Sequence, residues 1–343
     1  DGGGRLHNKM AGGVREDDMT FVRALAAVVA AGFFAAGAAS AQNYPNRPIN
    51  LLVPYPPGGA TDTIARIIQD PMQKVLGQTI VIETVSGAGG MIAASRTARA
   101  APDGYTILIH QVALAAGVSL YKSLTFDAVK DFAPIGLINT AASAVAGPAS
   151  LPANNFKELL NWAKTSGHTV RIAHAGVGSY SNLAGVLMAQ ELGIKATQVP
   201  YRGAGPALVD LLAGQVDLSS QSAIVAGPLV KSGKLKAYAI IGRKRFAGLP
   251  DLPTMGELGY KKLDVDFWHM LLAPAGTPRP IIDKLNAALR VALNDPKVKK
   301  IFADGGMDEY EASEETPEAA AALLKNEIAL WGDVIRSNHM EAQ

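Results

Sequence analysis

A chain of 343 residues with 48% hydrophobic and 18% charged residues is too apolar for a disordered protein and long enough for two cores. Its formal net charge of +2, without a Lys/Arg cluster interleaved with aromatics, argues against nucleic acid as a partner. The lack of cysteine removes disulfides, thiolate catalysis and cysteine metal sites.

Residues 1–18 read as an upstream extension or expression remnant, with Met19 as the natural start. A short basic stretch over 19–23 precedes an apolar segment over 24–39 and an A-x-A site, Ala39-Ser40-Ala41, before Gln42. That is a secretory signal peptide over residues 19–41. A membrane anchor fits less well, since the run falls short of the roughly 18 apolar residues a span needs.

From there strand and helix patterns alternate, which predicts an α/β protein with largely parallel sheets. Residues 49–55 read as a strand and 62–76 as a helix; 79–84 is a strand, and 87–90 opens a helix to about 99. A strand follows at 105–110. Residues 156–165 form a helix capped by Asn154 or Asn155 and ended by Gly167. Strands over 170–173, 196–200, 216–219 and 237–241 alternate with helices over 181–192, 206–213 and 227–232. Thr277-Pro278, Asp295-Pro296 and Thr316-Pro317 each start a C-terminal helix. No stretch has linker composition, so two lobes joined by crossing strands are expected. The candidate crossings are residues 108–112 and 219–223. They give lobe I as 43–110 plus 223–343 and lobe II as 111–222.

Two loops carry chemistry. VPYPPGGATD (53–62) runs from a strand through prolines and Gly58-Gly59 to a helix that Thr61 or Asp62 can cap. AHAGVGSYSNLA (173–184) repeats that layout. Orphan N–H groups and a helix dipole aimed at one spot make an anion site. Two of them suggest one acidic ligand gripped from two sides. Each alone is more often an ordinary strand–helix connection. Neither fits a P-loop or a dinucleotide fingerprint.

Further segments identify a pattern. YPNRPINLLVPYPPGGATD, SGAGGMIAA, APDGYTIL, FDAVKDFAPIGLI, AGVGSYSNLAG, VPYRGAGPALVDLLAGQVD, GKLKAYAI, LPDLPTMGELGY and LLAPAGTPRPIIDKLNAAL occur in this order. Together they resemble the Bug-type solute receptors of tripartite tricarboxylate transporters, over nearly the whole chain after residue 41. The resemblance implies a periplasmic binding protein of the two-lobed Venus-flytrap kind, type II-like, each lobe a mainly parallel sheet flanked by helices. It implies a monomer without cofactor or metal. Such a protein captures a small organic carboxylate and passes it to the membrane components of the transporter. In such receptors the two loops grip one carboxylate through main-chain N–H groups, hydroxyls and waters. Carried onto this chain, Gly59, Ala60, Thr61 and Asp62 act from one lobe, and Gly178, Ser179 and Ser181 from the other. Tyr55, Pro57, Gly58, Ser86, Gln111, Tyr180, Asn182 and Tyr201 complete the candidate set around them. Arg202 either pairs with the acid or makes a structural ion pair with Asp210 or Asp217.

The chain departs from the usual family residues at Thr84-Val85-Ser86, at His110-Gln111-Val112-Ala113, at 218–222 (LSSQS) and at Trp268-His269-Met270. All four fall where the far end of a ligand is expected. His110, Gln221, Ser222, His269 and Met270 are therefore the expected far wall, and they suggest an acid larger than a four-carbon diacid. The alternative, that they only pack the hinge, stands beside it. Two other functions compete: a ligand-sensing receptor for a two-component system, and a periplasmic enzyme acting on an organic acid. The second has little support, because no His-Glu-x-x-His pairing and no Gly-x-Ser-x-Gly elbow occurs.

Overall fold

Two β-sheets organise the chain from Pro45 onward. The computed structural model describes residues 44–165, 167, 169–337 and 340, so the expected signal peptide lies outside the described residues. The first sheet contains β1 (Ile49–Val53), β2 (Ile80–Thr84), β3 (Thr106–Gln111), β4 (Phe132–Ala141), β10 (Phe267–Pro274) and β11 (Met307–Asp308). Their order is β11-β4-β10-β3-β1-β2. The second contains β5 (Ser143–Pro148), β6 (Val170–His174), β7 (Ala196–Pro200), β8 (Leu218–Ser222) and β9 (Leu235–Ile241), in the order β7-β6-β8-β5-β9.

Each sheet has a parallel half and an antiparallel half, where largely parallel sheets were expected. β1 pairs in parallel with β2 and β3, and β6 with β7 and β8. The strands entering from the other sheet pair the opposite way: β10 runs antiparallel to β3 and β4, and β5 to β8 and β9. The central strands are covered on both faces. In β3 every residue from Ile107 to Gln111 is buried, which explains a run without alternation.

The lobe boundaries also differ from expectation. The chain crosses at Ala142, where β4 passes directly into β5, and returns through residues 242–266 between β9 and β10. Residues 108–112 and 219–223 are not crossings. The first end β3 and lead into α3 (Ala113–Leu120); the second end β8 and lead into α7 (Ala223–Lys231). Residues 132–148, FAPIGLINTAASAVAGP, are almost continuously buried, and a uniform apolar run carries no period that would divide it into two strands.

The remaining helices cover the sheets. α1 (Ala60–Leu76) packs against α8 (Arg279–Leu293), and α8 also lies on β4. α2 (Met91–Ala98) packs on β3 after a short 3₁₀ turn, Ala88–Gly90. α10 (Pro317–Ser337) lies on α3 and β4, and α9 (Pro296–Asp304) packs beside β11. On the second sheet, α5 (Tyr180–Leu192) packs on β6 and β8, α6 (Ala204–Leu212) on β8, and α7 on β9. α4 (Phe156–Thr165) lies beside β9. Local chemistry sets several boundaries. Asn155 Oδ1 accepts from Glu158 N (2.9 Å) while Glu158 Oε2 accepts from Asn154 N (2.7 Å), a reciprocal capping box. Asp295 Oδ1 caps α9 through Lys297 N (2.7 Å).

Candidate functional site

The first loop leaves β1 through Pro54-Tyr55-Pro56-Pro57 and turns at Gly58, whose φ of 90° suits glycine. Gly59 is the N-cap of α1, and neither Thr61 nor Asp62 caps it. Asp62 braces the turn from inside instead: its Oδ2 accepts from Gly58 N at 3.2 Å, and Arg66 pairs with its Oδ1 at 3.0 Å. The first helical bond runs from Thr63 N to Gly59 O, so the N–H groups of Ala60 and Thr61 have no acceptor within the helix.

The second loop leaves β6 and turns at Gly176 (φ 118°) and Gly178 (φ 76°). Ser179 is the N-cap of α5, with its Oγ 3.3 Å from Asn182 N. Ser181 Oγ accepts from Ala175 N at 3.0 Å and lies 3.2 Å from Ser179 Oγ. Asn182 Oδ1 accepts from Gly178 N at 3.0 Å. Asp62 and Asn182 thus do the same work: each is the third residue of its helix and holds the glycine N–H four residues earlier.

The two helix starts face one cavity. Tyr55, Gly59, Ala60 and Thr61 line it from the first loop, and Ala175, Ser179, Tyr180 and Ser181 from the second. Gln111, Ser143, Ala204, Ser220, Gln221, Ser222, Val225 and Phe267 complete the wall. The space they enclose is about 490 Å³, counted with its opening to solvent. Among the described residues no Lys, Arg, His, Asp or Glu lines it. Its two phenols, Tyr55 and Tyr180, are held neutral because burial pushes their pKa values up.

A second layer fixes the lining. Tyr55 Oη donates to Gly89 O (2.9 Å) and accepts from Gln111 Nε2, while Gln111 Oε1 accepts from Ala113 N (3.0 Å). His269 Nε2 lies 3.2 Å from Thr61 Oγ1, and its Nδ1 is buried without a partner among the described residues. An orphaned acceptor lone pair is tolerated better than an orphaned N–H, so we assign the proton to Nε2. His269 then donates to Thr61, and the Thr61 proton is free to point at the cavity. Burial, aided by nearby His110, holds the His269 pKa down to about 3, so the imidazole is neutral.

Of the twenty residues proposed from sequence, Tyr55, Gly59, Ala60, Thr61, Gln111, Ser179, Tyr180, Ser181, Gln221 and Ser222 line the cavity. Asp62 and Asn182 brace the loops; Gly178 shapes its turn. Pro57, Gly58 and Ser86 are exposed outside the cavity. The expected wall of His110, His269 and Met270 is corrected: all three are fully buried in β3 and β10 and do not line it. The size expectation then rests on Gln221 and Ser222 alone, which do line the cavity. Their strands are covered on both faces, so polar residues there meet protein. Tyr201 and Arg202 border an adjoining pocket with Gly89, Gly90, Gly176 and Val177, which shares Tyr55 and Ala175 with the cavity. Neither ion pair considered for Arg202 forms among the described residues: Asp210 accepts from Tyr201 Oη (2.6 Å), and Asp217 pairs with Arg171 (2.8 Å). Sequence reasoning missed Ser143, Ala175, Ala204, Ser220, Val225 and Phe267. Hydroxyls clustered in an otherwise buried strand, LSSQS, were the available signal for Ser220.

The lobes touch around this cavity. Tyr121 Oη donates to Val177 O (2.9 Å), and Tyr180 Oη to Val265 O (3.1 Å). A Cβ on Gly205 would lie 2.7 Å from Pro57 O across the cleft, and one on Gly89 would strike Val177 O.

Comparison with known proteins agrees with this architecture. BugT of Bordetella pertussis is 34% identical over 323 residues, covering 93% of this chain and 98% of that protein. The periplasmic binding protein BugD superposes with a TM-score of 0.84 at 39% identity, covering 88% of this chain and all of the other. MatC of Rhodopseudomonas palustris, solved with bound malate, superposes with a TM-score of 0.81 at 38% identity, covering 85% of this chain and all of the other. A family described as "Tripartite tricarboxylate transporter family receptor" matches residues 64–340, and the chain belongs to that family.

Proposed function

We propose that the protein is a periplasmic solute-binding receptor, not an enzyme, that captures a small organic carboxylate between its two lobes and delivers it to the membrane components of a tripartite transporter. The observation that carries this reading is the convergence of two helix starts on one uncharged cavity. N–H groups of Ala60 and Thr61 and of Tyr180 and Ser181, with the Thr61, Ser179 and Ser181 hydroxyls, present donors that suit an oxyanion. MatC with malate supports the ligand class, and the periplasmic relatives together with the leader read over residues 19–41 support the compartment.

Calorimetry with small organic acids tests the reading, after native mass spectrometry identifies any acid that co-purifies. Thr61→Ala and Ser179→Ala should each weaken binding by about 0.5–1.5 kcal/mol if they lose a neutral hydrogen bond, and by more against an ionised acceptor. Unchanged affinity in the double variant would refute carboxylate capture by these loops.

A further inference from the structure

Three serine hydroxyls of the second lobe have no role in carboxylate capture. Ser143 of β5 and Ser222 of β8 are direct partners in the antiparallel register. Ser220 precedes Ser222 by two residues, so all three share one face of the sheet. All three line the cavity. They are 1%, 6% and 7% exposed, and none of their Oγ atoms has a hydrogen-bond partner among the described residues. Ser143 lies close enough to the Tyr180 hydroxyl to interact with it, but Tyr180 gives its one proton to Val265 O at 3.1 Å, so Ser143 Oγ gains no acceptor there. A buried hydroxyl left unbonded is unfavourable, and several together call for a partner that enters the cavity.

The same corner holds the start of α7. Ser222 sits at its N-cap position but makes no side-chain cap, and Ala223 N is taken by Ala142 O. The next N–H groups lack an acceptor within the helix by position alone. Gln221 Nε2 donates to Ser219 Oγ (2.9 Å), which leaves its second N–H and its amide oxygen for other partners.

We propose that Ser143, Ser220 and Ser222, with the start of α7, form a second subsite that holds the far end of the ligand, and that this end is an uncharged polar group such as a hydroxyl or a carboxamide. The inference rests on the carboxylate reading. The donors at the starts of α1 and α5 answer one negative charge. A second carboxylate would share the same low-dielectric space with no cation in the wall, and like charges held close disfavour each other. The α7 dipole offers only roughly half a positive charge. Hydroxyls both donate and accept, as does the neutral group they would hold.

Matched acids separate the possibilities. Calorimetry on the purified protein would compare butyrate, succinate and succinamate, then hexanoate, adipate and adipamate. The half-amide of one set should bind tighter than its diacid and its monoacid by about tenfold or more, because a site built for a hydrogen bond rejects an analogue that leaves it unpaired. The Ser220→Ala, Ser222→Ala double variant should shrink that preference to about twofold or less. Thr61→Ala should instead weaken every member of a set alike. Alanine at an orphaned hydroxyl should leave the melting temperature of the empty protein unchanged or higher; if the double variant does not fold, Ser143→Ala is read the same way. A diacid that wins in every set, or a preference that survives loss of the serines, overturns the subsite while carboxylate capture stands. Binding of no acid at all overturns both.

Discussion

His110, His174 and His269 are imidazoles that folding removes from water. Burial lowers His110 and His174 to about 4 and His269 to about 3, with partial relief for His110 from backbone hydrogen bonds. In the unfolded chain the same group titrates near pH 6.5, so between about 6.5 and 4 the unfolded state binds protons that the folded state excludes. The stability these residues allow is full above about pH 6.5 and is lost as pH falls through the folded values. Each histidine should cost about 2 kcal/mol at about pH 5. Denaturant unfolding between about pH 7 and pH 5 checks the direction and size. His174→Asn, whose amide oxygen can take over the bond from Gly176 N, should flatten the decline by one histidine's share. An unchanged slope would show that His174 is not buried and neutral. The histidines also show where residue-level reading stopped. Thr61, Ser179 and Ser181 were legible because the same glycine-and-hydroxyl loop occurs twice before a helix, and the family resemblance puts both copies on the ligand. His269 was expected on the cavity wall and lies beneath it, because an apolar strand such as FWHMLLAP does not reveal which covered face its histidine meets.

The two binding loops are the same element built twice. Gly58-x-x-x-Asp62 and Gly178-x-x-x-Asn182 each clamp a glycine N–H with a side-chain oxygen from the helix interior. This fixes where the first free N–H groups point, although neither clamp lines the cavity. Asn182→Ala should therefore weaken acid binding by about 1 kcal/mol with little effect on the far end of the ligand. Calorimetry measures it; affinity equal to the parent would mean the turn holds its shape without the clamp. The strand–loop–helix units were readable because glycine, hydroxyl and amphipathic signals coincide within a dozen residues. β4, β5 and β10 were not, since the helices that cover them are distant in sequence: α8 and α10 on β4, α6 and α7 on β5, and α2 on β10. Misplacing them displaced the lobe boundaries too.

For the whole molecule, the fit between lobes depends on small residues at the contact. Gly205 is the second residue of α6, just before Pro206, and alanine there would restrict the unfolded chain by about 0.4–1 kcal/mol. Its added methyl would press on Pro57 O only when the lobes meet. Gly205→Ala should thus raise or preserve the melting temperature of the empty protein, weaken acid binding, and enlarge the radius of gyration seen by small-angle scattering. Unchanged affinity with an unchanged scattering curve would show that the contact adjusts at no cost. The two lobe-to-lobe passages, by contrast, have unequal tolerance. Ala142 is a one-residue passage with its N–H bonded to Gly306 O and its C=O taken by Ala223 N. One added residue there would turn every later side chain of β5 to the opposite face. The return passage is long, and Pro250 and Asp251 are exposed within it. Lineages that diversify this scaffold, and engineers who splice a reporter into it, have one joint whose length is fixed and another that can accept new sequence.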